Sequence, residues 1–262
     1  MTSVLPAIAA ELVKSRRSGV TWGVAAAFSL TPLVGALFMV ILKDPESARR
    51  LGLLGAKARL TAGTAEWPTF LGLLAQTEAV AGAILFAFLT AWVFGREFAD
   101  RTVRGLLAIS TPRWATVVGK YIVIAGWGVV ITVWVVIVGW LSGTLVGLPA
   151  WSDDLWRDTL ARIAVIALVT IALQSTTAFF ASAGRGYIPP LAWAVLTMAL
   201  AQILAVLGWG HVFPWAVPAL VSGVTGPEGE TADAVSFLVV GITALVGLLA
   251  TIAWWERADH TV

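Results

Sequence analysis

Long apolar runs alternate with shorter polar ones along this 262-residue chain, and the run lengths point to helices rather than strands. Residues 21–42 form the first run. At the usual helical rise it would extend about 33 Å, enough to cross a hydrocarbon layer, so it reads as a span and not as a cleaved leader. Runs at 71–94, 117–148, 161–183, 189–207 and 235–255 follow, which predicts six transmembrane helices in an all-α polytopic membrane protein. The third run exceeds what a span requires, so its helix is expected to tilt or protrude. Residues 211–223 are apolar but broken by Pro214 and Pro218, and they predict a re-entrant or surface-lying hairpin between spans five and six. Ser152, followed by Asp153 and Asp154, has the form of an N-cap for span four, and Pro189-Pro190 suits the first turn of span five.

The polar intervals add detail. Ahead of the first span, Ser3–Arg17 places Leu5, Ile8 and Leu12 on one face. This segment (1–19) suits a short amphipathic helix along the headgroups with Lys14, Arg16 and Arg17 toward anionic lipid, or a basic flank that only orients the first span. Residues 43–68 open with Asp44-Pro45, and the pattern Leu51, Leu54, Ala58 suggests a helix of a few turns. Between spans two and three lies GREFADRTVRGLLAISTPRWATVVGK, residues 95–120, which holds five of the seventeen Lys and Arg. Such a segment is expected in water, and its basic bias places that water in the cytoplasm. With both termini inside, ten Lys and Arg fall inside and seven outside. Ten tryptophans (22, 67, 92, 114, 151, 156, 209, 215, 254 and 255) fall near predicted interfaces, as amphipathic rings should.

Composition narrows the function. With 59% hydrophobic and 12% charged residues the chain is not a soluble domain, and a net charge of +2 gives no basis for nucleic-acid binding. The absence of cysteine removes disulfides, thiol nucleophiles and Cys-based metal sites. No metal-ligand or catalytic constellation is legible. Gly119-Lys120 superficially suggests a phosphate loop, but Tyr121 stands where Ser or Thr is needed and Trp114 where Gly is needed. Glu78 is the one acid well inside an apolar run. It either snorkels outward, bonding Thr77 or Gln76, or joins Gln76, Gln174, Ser175 and Gln202 in a polar substrate cavity. Gly139, Gly143 and Gly147 recur every four residues and predict close helix packing, with a gating hinge as the alternative.

Within residues 95–116, Phe98, Leu106, Leu107 and Ile109 supply apolar groups, and Arg96, Glu97, Asp100, Arg101 and Arg104 supply charge. Closed by Thr111-Pro112, this segment fits a short helix lying across the membrane plane, able to enter a groove on a soluble partner. The segment resembles the one after the second span of ABC-2 type transporter permeases. Glu97, Thr102, Leu106, Leu107, Pro112 and Lys120 match the family pattern, while Arg101 replaces the Gly found there in many members. GRGYIPPL (184–191) and FPWAVPAL (213–220) are similar to segments of the bacitracin and multidrug-efflux branch. The resemblance covers essentially the whole chain as one ABC-2 transmembrane domain. It implies a bacterial plasma-membrane permease that works as a homodimer or heterodimer and exports a drug, peptide antibiotic or lipid. It also implies two cytoplasmic ATPase subunits that bind the ATP and Mg, while the chain itself holds no cofactor. The implied ATPase-coupling residues are Arg96, Glu97, Phe98, Asp100, Arg101, Thr102, Arg104, Leu106, Leu107 and Pro112. Rival readings are an ion-coupled secondary transporter, which predicts paired broken helices and intramembrane carboxylates, and a non-transporting scaffold or sensor.

Overall fold

Six helices in the computed structural model are long and apolar enough to cross a membrane. The structure describes residues 4–50, 63–103, 105, 111–224 and 230–258, the side chains of 47–49 excepted. In chain order the helices are α1 (Val4–Arg16), α2 (Gly19–Lys43), α3 (Pro45–Arg50), α4 (Trp67–Ala99), α5 (Arg113–Val146), α6 (Asp153–Ala183), α7 (Ile188–Val206), α8 (Val217–Ser222) and α9 (Ala234–Arg257). Two 3-10 turns, Gly210–Val212 and Pro214–Ala216, precede α8. No strand occurs among the described residues.

The termini of these helices follow local chemistry. Ser152 caps α6 by accepting from the Leu155 amide at 3.1 Å, and Asp233 forms a capping box with Ser236 at the start of α9. Pro32 lies inside α2 and Pro189-Pro190 in the first turn of α7. α6 is central, packing along α4 and α9, and α2 lies against α4 and α5. The core includes Phe28, Phe70, Phe86, Phe94, Ile131, Ile166 and Trp255. Outward faces are apolar: Leu30, Val34 and Leu37 on α2, Val130 and Val133 on α5, and Leu238, Leu245 and Leu249 on α9 are all exposed. Exposed aliphatic side chains in continuous helical stripes are the surface that lipid tails solvate. The expected glycine packing is present, since a Cβ on Gly143 would stand 2.5 Å from the Trp67 ring.

Three expectations change. α4 does not end at Phe94 but continues as helix through Gly95–Ala99, so the segment predicted to lie in water begins inside the bundle. α1 does not turn Lys14 toward lipid. Its buried side is Ala7, Glu11 and Ser15, while Leu5 and Leu12 are exposed. Lys14 instead meets Glu11 on α1 at 2.6 Å and Glu97 on α4 at 3.2 Å. Glu78 does not snorkel; it is 1% exposed and accepts a hydrogen bond from Thr132 Oγ1 on α5 at 2.8 Å. Leu51, Leu54 and Ala58 lie outside the described residues, as do Arg104, Leu106, Leu107 and Ile109.

Candidate functional site

At the end of the bundle carrying α1, four charged side chains from three helices meet in a nearly dry cluster. Lys120, in the second turn of α5, is wholly buried. Its Nζ donates to both Glu97 oxygens at 2.9 Å, to Glu11 Oε2 at 3.2 Å and to the Val93 carbonyl at 2.8 Å. Lys14 Nζ donates to Glu11 Oε1 at 2.6 Å and to Glu97 Oε1 at 3.2 Å. Two lysines and two glutamates cancel, and Arg96 Nε lies at the edge, 4.0 Å from Glu97 Oε1. Burial works to raise the Glu11 carboxyl, but Lys120 and Lys14 outweigh it and hold it below its usual range. Burial likewise works to lower Lys14, and Glu11 and Glu97 reverse the sign and hold it high. Buried pairs are costly to form and more costly to break, so they fix geometry more than they add stability.

This cluster ties down both ends of the loop between α4 and α5. α4 stops in a Schellman motif: the Thr102 amide donates to the Glu97 carbonyl at 2.9 Å and the Arg101 amide to Phe98 at 3.3 Å. Arg101 supplies the left-handed residue, with φ 57°. The Arg at the family's Gly position thus adopts the conformation that Gly would favour. Phe98 packs edge-on against Trp254 and Trp255 near the end of α9, with centroids 5.6 and 5.7 Å away. Arg113 Nη1 donates to the Trp255 carbonyl at 3.1 Å. α1 is held further by Trp127 Nε1, which donates to Ser15 Oγ at 2.8 Å. The 184–187 turn also closes on α4, where a Cβ on Gly95 would stand 2.9 Å from the Gly186 carbonyl oxygen. Around this base, Asp100, Arg101, Thr102 and Pro112 are exposed, Arg96 is half-buried over the Trp92 ring, and Glu97 and Phe98 face inward.

A second feature lies toward the opposite end. A cleft of about 400 Å3 runs between α4, α6, α7 and the segment 215–224. Gln174 and Gln202 both line it; Gln76, Glu78 and Ser175 do not. Glu78 is instead enclosed near Phe28 and Gly82, and its Oε2 has no hydrogen-bond partner among the described residues. Ser175 packs beneath Gly247 of α9. At the rim, Glu230 accepts from the amides of Gly210 at 2.9 Å and His211 at 3.0 Å, with the His211 imidazole against it. Burial acts to raise this carboxyl, but the His211 and Gly210 hydrogen bonds prevail and lower it.

Residues 7–201 match the family described as ABC-2 family transporter protein. The chain belongs to the ABC-2 transporter family. Among curated proteins, this ABC-2 chain is 24% identical over 179 residues to the bacitracin transport permease protein BCRB of Bacillus licheniformis. That alignment covers 68% of this chain and 85% of the relative. The chain is accordingly a multi-pass plasma-membrane protein and the membrane permease of an ABC transporter.

Sequence reasoning had picked out Glu97 and Lys120 of this ABC-2 permease from the family pattern, without their pairing. It gives Lys14 to the lipid headgroups and assigns no site role to Glu11 or Glu230. For Glu11 a signal exists: Ala7 and Ser15 flank it at four-residue spacing, and small residues around a lone acid mark a helix face that packs closely. Glu230 carries no such pattern, because its partners are backbone amides 19 and 20 residues away.

Proposed function

We propose that this permease exports a hydrophobic or amphipathic cargo, with its α1 end in the cytosol and ATP hydrolysed by a separate subunit docked at the loop between α4 and α5. The observation that carries this reading is the buried Glu11–Lys14–Glu97–Lys120 cluster, which joins that loop's two roots to α1. A loop so mounted transmits displacement to three helices at once, whereas a loop that only set topology would need no such base. The exposed Asp100, Arg101, Thr102 and Pro112 form the docking rim, and Arg96, Glu97 and Phe98 anchor it; Arg104, Leu106 and Leu107, outside the described residues, are assigned to docking by the family resemblance alone. ATP and Mg belong to two ATPase subunits, and a second permease completes the pathway. The relative's transport of bacitracin supports a peptide-antibiotic class of cargo. Co-purification from membranes co-expressing an ATPase encoded beside this chain tests the docking. Leu106→Asp or Arg104→Glu should abolish association while the permease stays folded; retention with both variants would refute it.

A further inference from the structure

The cleft between α4, α6, α7 and the 215–224 segment is built from small side chains. α4 presents Ala79, Ala83 and Ala87 at four-residue spacing, and α7 presents Ala194, Ala201 and Ala205. Its lining includes Val80, Ile84 and Val206, all exposed, so the cleft opens onto an apolar face. Two polar side chains deep in the wall are left incomplete. Gln174, 4% exposed, donates its amide to the Thr170 carbonyl at 3.1 Å, but its Oε1 has no partner among the described residues. Thr170 Oγ1, on a side chain 2% exposed, has none either. Buried acceptors without donors are rare in folded proteins, and a ligand N–H or a water satisfies them. Glu230 is the one acid or base among the described residues that line the cleft. Its carboxylate accepts from two backbone amides with the His211 imidazole against it, and Trp215, an aromatic ring of the kind that attracts cations, lines the same cleft.

We propose that this cleft binds an amphipathic molecule with an apolar body and a protonated amine, the amine seated at Glu230 and the body along the alanines of α4 and α7. The proposal rests on the reading of the chain as a cargo-carrying permease and names the chemical class of that cargo. An anionic amphipath is disfavoured because the fixed carboxylate at the rim repels it. A neutral lipid chain fills the alanine-lined part without using the rim at all.

The test is equilibrium binding to the full chain in nanodiscs, without ATP or ATPase, so that it stands apart from the docking experiment. The probes are two dansyl-labelled twelve-carbon chains, one ending in a primary amine and one in a carboxylate. Wild-type protein should bind the amine at least about tenfold more tightly. Glu230→Gln should remove most of that preference, and Ala83→Trp should weaken both probes by filling the cleft. Gln174→Leu, close in volume, should weaken both probes, since each carries the sulfonamide N–H that Gln174 Oε1 lacks, and it reads the site even if Ala83→Trp does not fold. Equal binding of the two probes to wild-type protein would overturn the proposal in favour of a groove for acyl chains only. Unchanged binding in Gln174→Leu and in folded Ala83→Trp would place the probe elsewhere and overturn it too.

Discussion

Replacing Lys120 by Met tests whether charge balance, and not shape, holds the α1 end of the bundle together. Met nearly matches the Lys stem in length but removes three close ionic contacts, at 2.9, 2.9 and 3.2 Å, together with the bond to the Val93 carbonyl. The Glu97 and Glu11 side chains, 2% and 5% exposed, are left with Lys14, and Glu97 also with Arg96 Nε at 4.0 Å. Removing one partner from a buried pair typically costs about 3–5 kcal/mol. Lys14 remains 2.6 and 3.2 Å from the two acids, and its side chain is 29% exposed to screening water. The cost should therefore lie near the lower limit, at about 3 kcal/mol. The double variant Lys120→Met/Glu97→Leu removes one charge of each sign and leaves Glu11 with Lys14 on α1. It should recover to within about 1 kcal/mol of wild type, because apolar replacement of a whole pair is often neutral. Equilibrium unfolding in mixed micelles measures both variants. Docking of α1 can be followed separately, since the chain has no cysteine and Ser15, 1% exposed, can be changed to Cys and tested for maleimide labelling. Labelling should rise in Lys120→Met. A double variant as unstable as the single one, or a single-variant loss under about 1 kcal/mol, would refute the reasoning.

Two further outcomes follow from the same end of the molecule. Arg101 holds φ 57°, so Arg101→Gly should stabilise the chain by up to about 1 kcal/mol and Arg101→Val should destabilise it, both read by the same unfolding assay; the opposite order would remove the Schellman turn from the account. Glu11 is held below its usual 4.5, so its contribution is present above that value and is lost as pH falls through the lower native one. Lys14 is held above its usual 10.5, so its contribution is present below that value and is lost as pH rises through the higher native one. The mobility of a spin label on Ala10→Cys should therefore stay constant between about pH 5 and 10, and release of α1 near neutrality would contradict the assignment.

The spans were legible because a bilayer imposes a length of about twenty apolar residues on every helix that crosses it, and no tertiary contact changes that requirement. α2, α5 and α9 lie where the apolar runs put them. The start and stop of α4 were not legible, because Trp67 and Glu97 are retained in the helix by contacts that the local pattern does not contain. Trp67 packs on the backbone of α5 at Gly143, and Glu97 meets Lys120, 23 residues on in the chain. The same limit applies to α1. Leu5, Ile8 and Leu12 make an amphipathic stripe, but the buried face is decided by Gly119 of α5, where a Cβ would stand 3.0 Å from Ala7. Of the cavity residues named beforehand, Gln174 and Gln202 converge because α6 and α7 are antiparallel neighbours. Glu78 departs because its helix turns it toward Thr132 of α5.

The cancellation within the α1 cluster has an electrical consequence. A single lysine driven across the full membrane field would do work of about 2.3 kcal/mol for each 100 mV. Glu11, Lys14, Glu97 and Lys120 move with no net charge so long as they travel as a unit. Displacing these four side chains together therefore does no net work against the resting potential, and only neighbours such as Arg96, 4.0 Å from Glu97, would feel it.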